Sequence, residues 1–319
     1  MPSPTQGALH VDSLLTNMSV GYKNLNYIAD EVFPIVPVQK QSDIIPQYDQ
    51  SHWFRDDARL RAPATASRRG GWKVTTSDTY FCPRYSFGYE VPDEARMNTD
   101  SPFNLERDGV EFVTDKLQLK RENKFATDFF TTSVWGSDKT GGTDFTKWSS
   151  YGSSQPLVDL TGYSDDIEAS IATEPTKLVI GKQVWVKLKW HPNIIDLIKY
   201  TQRGVVSVDL FTSLLDGINS TLIGRSILTT TKEGVAEASV SYSRVWGKHA
   251  LLLYVPDRPS LMRPAAGYTF VWQVVPNALQ YMKRLRNEER EVDIIEANSY
   301  FDQKQVVSNA GIFLSGAVA

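Results

Sequence analysis

Four histidines (His10, His52, His191 and His249) and one cysteine, Cys82, are the side chains of this sequence best suited to nucleophilic or metal chemistry. Zinc chemistry needs ligands a helical turn or a tight loop apart, as in H-E-x-x-H, and no histidine here has such a neighbour. All four read as surface or satisfied core histidines. Cys82 follows Tyr80-Phe81 in a β-like run, where a thiol is a small buried apolar group rather than an activated nucleophile. There is no G-x-S-x-G elbow. Gly181-Lys182 and Gly247-Lys248 lack the glycine five residues upstream that a phosphate-cradling loop needs. Asp56-Asp57 and Asp165-Asp166 are adjacent carboxylates. In a strand these would point to opposite faces, and Asp166 suits the first turn of a helix, so both pairs read as structural. The sequence therefore assigns no catalytic residue, cofactor site or metal site, and the expectation is a protein that is not an enzyme.

Composition narrows the class. The 319 residues are 41% hydrophobic and 22% charged, as in a globular chain with a substantial core. No apolar run approaches the ~18 residues of a membrane helix, and MPSPTQGALHVDS lacks the basic-then-apolar order of a signal peptide. A lone cysteine fits a reducing compartment. With 34 basic against 37 acidic residues, the chain lacks the excess charge of a dedicated nucleic-acid binder.

The element on which the rest must be hung is SPFNLERDGVEFVTDKLQLKRENKFATDFF, Ser101 to Phe130. Ser101 is a candidate cap and Pro102 a first helical residue. Leu105, Gly109, Val113, Leu117, Phe125 and Phe129 share one face at a four-residue step, with Phe112 and Phe130 beside them. Acids fill the first half and bases (Lys116, Lys120, Arg121, Lys124) the second, as the helix dipole favours. A helix of roughly 28 residues is a rod of about 40 Å. It reads as a spine.

Ahead of the spine, ADEVFPIVPVQKQSD is forced into extended backbone by Pro34 and Pro37. This arm needs cover, from its own core or from a neighbouring subunit. Residues 44–90 read as two strand-like ends around the tip RDDARLRAPATASRRGG, with Arg55, Arg59, Arg61, Arg68 and Arg69. That tip is either a solvated hairpin face or a reaching arm whose arginines pair with carboxylates on another subunit. Behind the spine, a Gly/Ser/Thr-rich connector carries Trp135 and Trp148, too many tryptophans for a pure linker. Then come a short helix from Ser164 to Ala172, a strand Lys177 to Ile180, helices at 183–190, 193–200 and 207–217, and strands INSTLIG, SRVWGKHALLLYV and GYTFVWQVV. MKRLRNEERE reads as a charged turn, followed by a long alternating strand, Glu291 to Phe301, and an apolar strand, Ile312 to Ala317.

That order of parts resembles the major capsid proteins of tailed bacteriophages and their Hong Kong 97-type fold. The likeness is carried by YIADEVFPIVPVQKQSDIIPQYD in the arm, YEVPDEARMNTDSPFNLERD leading into the spine and KLVIGKQVWVKLKWHPNIIDLIKY in the central unit. RVWGKHALLLYVP and VVSNAGIFLSGAV complete it. The resemblance implies an α+β chain with an N-terminal arm (1–43), an extended β-loop (44–90) and a peripheral domain (91–156) holding the spine helix 102–130. It further implies an axial α/β domain (157–285), a returning peripheral strand (286–310) and a C-terminal strand (311–319). The implied function is a head protein that assembles through pentamers and hexamers into an icosahedral shell around double-stranded DNA, a virion component built in the host bacterial cytoplasm. The implied partners are further copies of itself, a separate scaffolding protein or none (since the arm starts almost at Met1), a portal, a possible decoration protein and non-specific contact with packaged DNA. No membrane is involved. A covalent lysine–asparagine cross-link occurs in some relatives, but no local motif here marks such a pair around Lys73, Asn298 or Asn309. The inter-subunit expectation is that Arg68, Arg69 and Lys73 meet Glu106, Asp108 and Glu111 at the head of a neighbour's spine. The alternatives are an encapsulin-like compartment around protein cargo, and a carbohydrate-binding module using Trp135 and Trp148.

Overall fold

The computed structural model describes residues 15, 27–48, 54–71, 74–76, 78–99, 104–199, 206–259, 264–275 and 278–319. Two mixed sheets are joined by one helix, Leu105–Phe129, of 25 residues. Asn104 caps it, its side-chain oxygen accepting the Glu106 and Arg107 N–H groups at 3.1 Å each. The predicted start at Ser101-Pro102 lies outside the described residues. Val113, Leu117, Phe125 and Phe129 are buried along the expected stripe, but Phe112 is 45% exposed.

The two halves of the spine serve different cores. Val110, Val113 and Leu117 pack with Val91, Met282, Ile295 and Ala297. Phe125, Ala126, Phe129 and Phe130 instead join the larger core of the second sheet.

The first sheet is organised by the tail strand, Val292–Gln305. Its first half is flanked by Arg84–Pro92 and Tyr281–Asn287, both antiparallel, and its second half pairs with Gly267–Trp272. Ile35–Val38 adds a parallel edge strand along Gly267–Trp272. Pro37 is tolerated there because an edge strand does not need every N–H. The arm is thus covered by its own chain: Val32 and Phe33 are fully buried, and Phe33 meets Phe125 edge-on at 4.8 Å.

The second sheet runs in the order Ser137–Thr140, Gly311–Ser315, Ala250–Leu253, Lys177–Gly181, Ser220–Gly224. Ala250–Leu253 lies at its centre and is buried at every position, which is why it reads as an unbroken apolar run. Helices cover it, among them Pro156–Ile171, Lys182–Leu188 and Pro192–Ile198.

Four expectations are corrected. The start of the arm, Ala29–Val32, is not extended but a single helical turn, which ends ahead of Pro34 because the residue before a proline is kept out of helical backbone. The helix expected from Ser164 runs from Pro156 to Ile171, with Pro156 in its first turn, so Ser164 is an interior residue and no cap. The strand expected through SRVWGKHALLLYV is two strands, Tyr242–Arg244 and Ala250–Leu253, separated by a turn at Gly247 with φ +52°. The expected charged turn is a strand, Tyr281–Asn287; its first residues are buried and its later bases face solvent on a sheet edge, where charge discourages unwanted pairing. Among the described residues no helix is long and apolar enough to cross a membrane.

Candidate inter-subunit surface

The residues that could have done chemistry are used structurally. Ser154 and His191 are buried and 2.9 Å apart, a nucleophile–base distance. His191 Nδ1, however, accepts the Asn193 backbone N–H at 3.3 Å, and burial lowers the ring's pKa. A neutral ring accepting at Nδ1 carries its proton on Nε2, so it donates to Ser154 Oγ and cannot take that hydroxyl's proton. The pair closes a turn. Cys82 is buried, and burial pushes its thiol up to about 12. His10 and His52 lie outside the described residues, and among those described no three His, Cys, Asp or Glu side chains converge as metal ligands. Trp135 and Trp148 are buried, their indole N–H groups spent on the Phe129 carbonyl at 2.7 Å and the Asp159 carboxylate at 3.0 Å. Neither offers a face to a sugar ring, which overturns the carbohydrate alternative.

What the chain does present is a limb. Ser42–Ile44 pairs antiparallel with Thr79–Phe81, and Gln47–Tyr48 with Val74–Thr75. Beyond this hairpin stem, residues 54–71 form no strand or helix, and nearly every side chain there is exposed, Phe54 and Leu60 included. Two local contacts shape the tip. Arg68 pairs with Asp57 at 2.7 Å, and Arg61 Nε donates to the Thr65 carbonyl at 2.5 Å beside Ala64, whose φ is +63°. Among the described residues Arg55, Arg59 and Arg69 have no carboxylate partner. Lys73 lies outside the described residues.

The head of the spine is an ion-pair lattice. Glu106 accepts from Arg284 at 2.7 Å and lies 3.2 Å from Arg96. Arg96, Arg284 and Arg286 also converge on Asp293, at 2.5, 2.8 and 3.3 Å, and Arg286 holds Asp93 with both terminal nitrogens. These arginines, Arg284 foremost, hold the Asp293 carboxyl well below the usual carboxylate range. Glu111 pairs with Arg107 one turn back, at 3.2 Å. Asp108 is exposed and, among the described residues, unpaired. Of the acidic trio, then, Glu106 and Glu111 already carry a counter-charge within their own chain, and Asp108 has none among the described residues.

Sequence reasoning missed two buried charges in the spine. Arg121 pairs with Asp30 of the arm at 2.7 Å and lies over the Phe301 ring. Glu122 accepts the Ile28 and Ala29 N–H groups at 3.0 and 2.8 Å, the Ser226 hydroxyl at 3.1 Å and the Trp246 indole at 2.5 Å. Arm, spine and second sheet are locked through one carboxylate. A signal for Arg121 existed: it fills the vacant step between Leu117 and Phe125 in the apolar stripe.

No family model matches the chain. It is 27% identical over 313 residues to the major capsid protein of Burkholderia phage BcepMu, covering 96% of both chains. A crystal structure of a phage-related protein from Bordetella bronchiseptica RB50 superposes with a TM-score of 0.75 at 21% identity, over 96% of this chain and 97% of that one. The capsid structure of cyanophage P-SCSP1u does so with a TM-score of 0.60 at 12% identity, over 91% and 88%.

Proposed function

We infer, for a chain that belongs to the major capsid proteins of tailed bacteriophages and carries their Hong Kong 97-type fold, that its copies close through rings of five and six into an icosahedral shell around double-stranded DNA. Its place is the virion. Assembly takes place in the host bacterial cytoplasm, with a separate scaffolding protein and a portal as partners. In this reading residues 44–90 are the extended loop, 91–156 and 286–310 the peripheral domain, and 157–285 the axial domain, with arm and C-terminal strand at 1–43 and 311–319. Likeness along 96% of the chain to a phage major capsid protein favours a DNA-filled head over a compartment for protein cargo.

One observation carries the reading: the exposed limb at 54–71. An ordered reach that leaves Phe54 and Leu60 in water gains nothing within one subunit. It gains burial when draped over a neighbour, and a patch on one copy meeting a different patch on the next is the head-to-tail geometry that closes rings. The limb's Arg68, Arg69 and Lys73 reach Glu106, Asp108 and Glu111 of the adjacent spine. Arg69 and Asp108, without partners of their own among the described residues, carry most of the attraction.

Negative-stain electron microscopy of the purified protein, expressed alone and then with its genomic neighbours, tests this. Closed particles or rings of five and six support it. A protein that stays monomeric in both cases refutes it.

A further inference from the structure

The axial unit carries a basic cleft that the limb does not use. Helix Lys182–Leu188 lies over strands Lys177–Gly181 and Ser220–Gly224. Beside it opens a cavity of about 390 Å³ lined by Lys182, Gln183, Val186, Lys187, Arg244, Lys248, Val318 and Ala319. Burial and the like charges of Arg225, Arg244 and Lys189 hold the Lys182 pKa below its ordinary value. Among the described residues none of the four lining cations has a carboxylate partner. Cations gathered round a cavity repel one another unless an anion is brought in.

A matching anion sits elsewhere on the same unit. Helix Pro156–Ile171 packs on strands Ala250–Leu253 and Gly311–Ser315, burying Leu160, Ile167 and Ile171. The opposite face presents Val158, Gly162, Asp165 and Ala169 at helical spacing, with Glu168 beside them, all exposed. Among the described residues Asp165 and Glu168 have no basic partner. Gly162 adds an independent observation. Glycine in a helix interior weakens the helix relative to alanine, yet a Cβ at this position would meet nothing within 4 Å. Nothing in the described chain requires the missing side chain.

We propose that the basic cleft receives the outward face of helix Pro156–Ile171 from a second copy of this chain, Asp165 and Glu168 entering among Lys187, Arg244 and Lys248, Val158 seating against Val186, and Gly162 allowing close approach. The contact rests on the shell reading, for which it supplies a second head-to-tail junction. The cleft and the acidic helix lie over different strands of one sheet, so every copy offers both a donor and an acceptor face. A protein partner is favoured over a phosphate backbone because apolar residues flank the charges on both sides: Val186 is 46% and Val158 64% exposed. A phosphate chain would leave both valines uncovered.

The test is a charge swap in the full-length chain, read as the particle fraction in velocity sedimentation and as particles by electron microscopy. Lys187→Glu with Arg244→Glu, and separately Asp165→Lys with Glu168→Lys, should each cut the assembled fraction about ten-fold or more, and the four together should restore it. Gly162→Leu should block assembly while the subunit melts no lower than wild type. Unchanged assembly in both half-swaps, or no rescue by the full swap while every variant retains the wild-type melting profile, overturns the contact. Normal particles that lose only their nuclease-protected DNA would also overturn it, identifying the cleft as a phosphate site. If the wild type itself forms no particles, the shell reading and the contact fall together; if it does and the swap fails, the contact alone falls.

Discussion

Glu122 in the spine accepts the indole N–H of Trp246 at 2.5 Å, a bond between residues 124 positions apart. The same carboxylate holds the Ile28 and Ala29 amides and the Ser226 hydroxyl, with no cation among these partners. Four donors from three segments therefore depend on one buried group. Glu122→Ala should lower unfolding stability by roughly 3 kcal/mol, the cost of orphaning several buried donors at once. Glu122→Gln, which keeps the shape but replaces one acceptor with a donor, should cost about half as much. Denaturant unfolding of the unassembled subunit measures both.

Burial raises the Glu122 pKa from 4.5 to about 7. The folded state then holds a proton between pH 4.5 and 7 that the unfolded chain has released. This group's pH-dependent contribution is therefore greatest below pH 4.5 and is lost as pH rises through 7, with a span of roughly 3 kcal/mol at about 1.4 kcal/mol per unit. Asp293 works the other way: its depressed pKa stabilises the fold above the usual carboxylate range and is lost on acidification. Unfolding midpoints at pH 5, 6, 7 and 8 should show wild type losing stability with rising pH relative to Glu122→Gln. Parallel curves for the two proteins would refute the assignment.

The spine, the limb's stem and the central strands were legible because each follows one local rule: a four-residue apolar step, strand-rich ends about a polar tip, an unbroken apolar run. What stayed hidden depends on neighbours distant in sequence. Arg121 looked like a dipole-matching surface base, yet its carboxylate partner, Asp30, belongs to the arm. Tyr281–Asn287 looked like a turn because its bases dominate the pattern, and only pairing with Val292–Asn298 makes it a strand. The acidic trio was visible as charge, but that Glu106 is already held by Arg284 is a tertiary fact.

The limb separates folding from assembly. Arg68→Glu with Arg69→Glu removes only an exposed pair with Asp57, worth about 0 to 1 kcal/mol, so the subunit should melt within a few degrees of wild type. On the proposed contact with a neighbour's spine, assembly should fail, because the lost attraction would recur at every copy. Normal shells from this double variant would refute the contact. Asp108→Lys should reproduce the defect, and pairing it with Arg69→Glu should restore part of it.

Two helix glycines predict opposite outcomes from the same substitution. At Gly109 an added Cβ would come within 2.7 Å of the Tyr89 ring, so the spine lies against strand Arg84–Pro92 only because that side chain is missing. Gly109→Ala should destabilise the subunit by about 1 to 3 kcal/mol through overpacking, outweighing the roughly 1 kcal/mol that alanine gains in a helix. At Gly162 the space is open, so Gly162→Ala should stabilise the isolated subunit by about 0.5 to 1 kcal/mol. Calorimetry of both variants reads the two signs directly. If Gly162→Ala stabilises the subunit yet lowers the yield of particles, the space at that position is occupied by a neighbour; if it raises both, it is not.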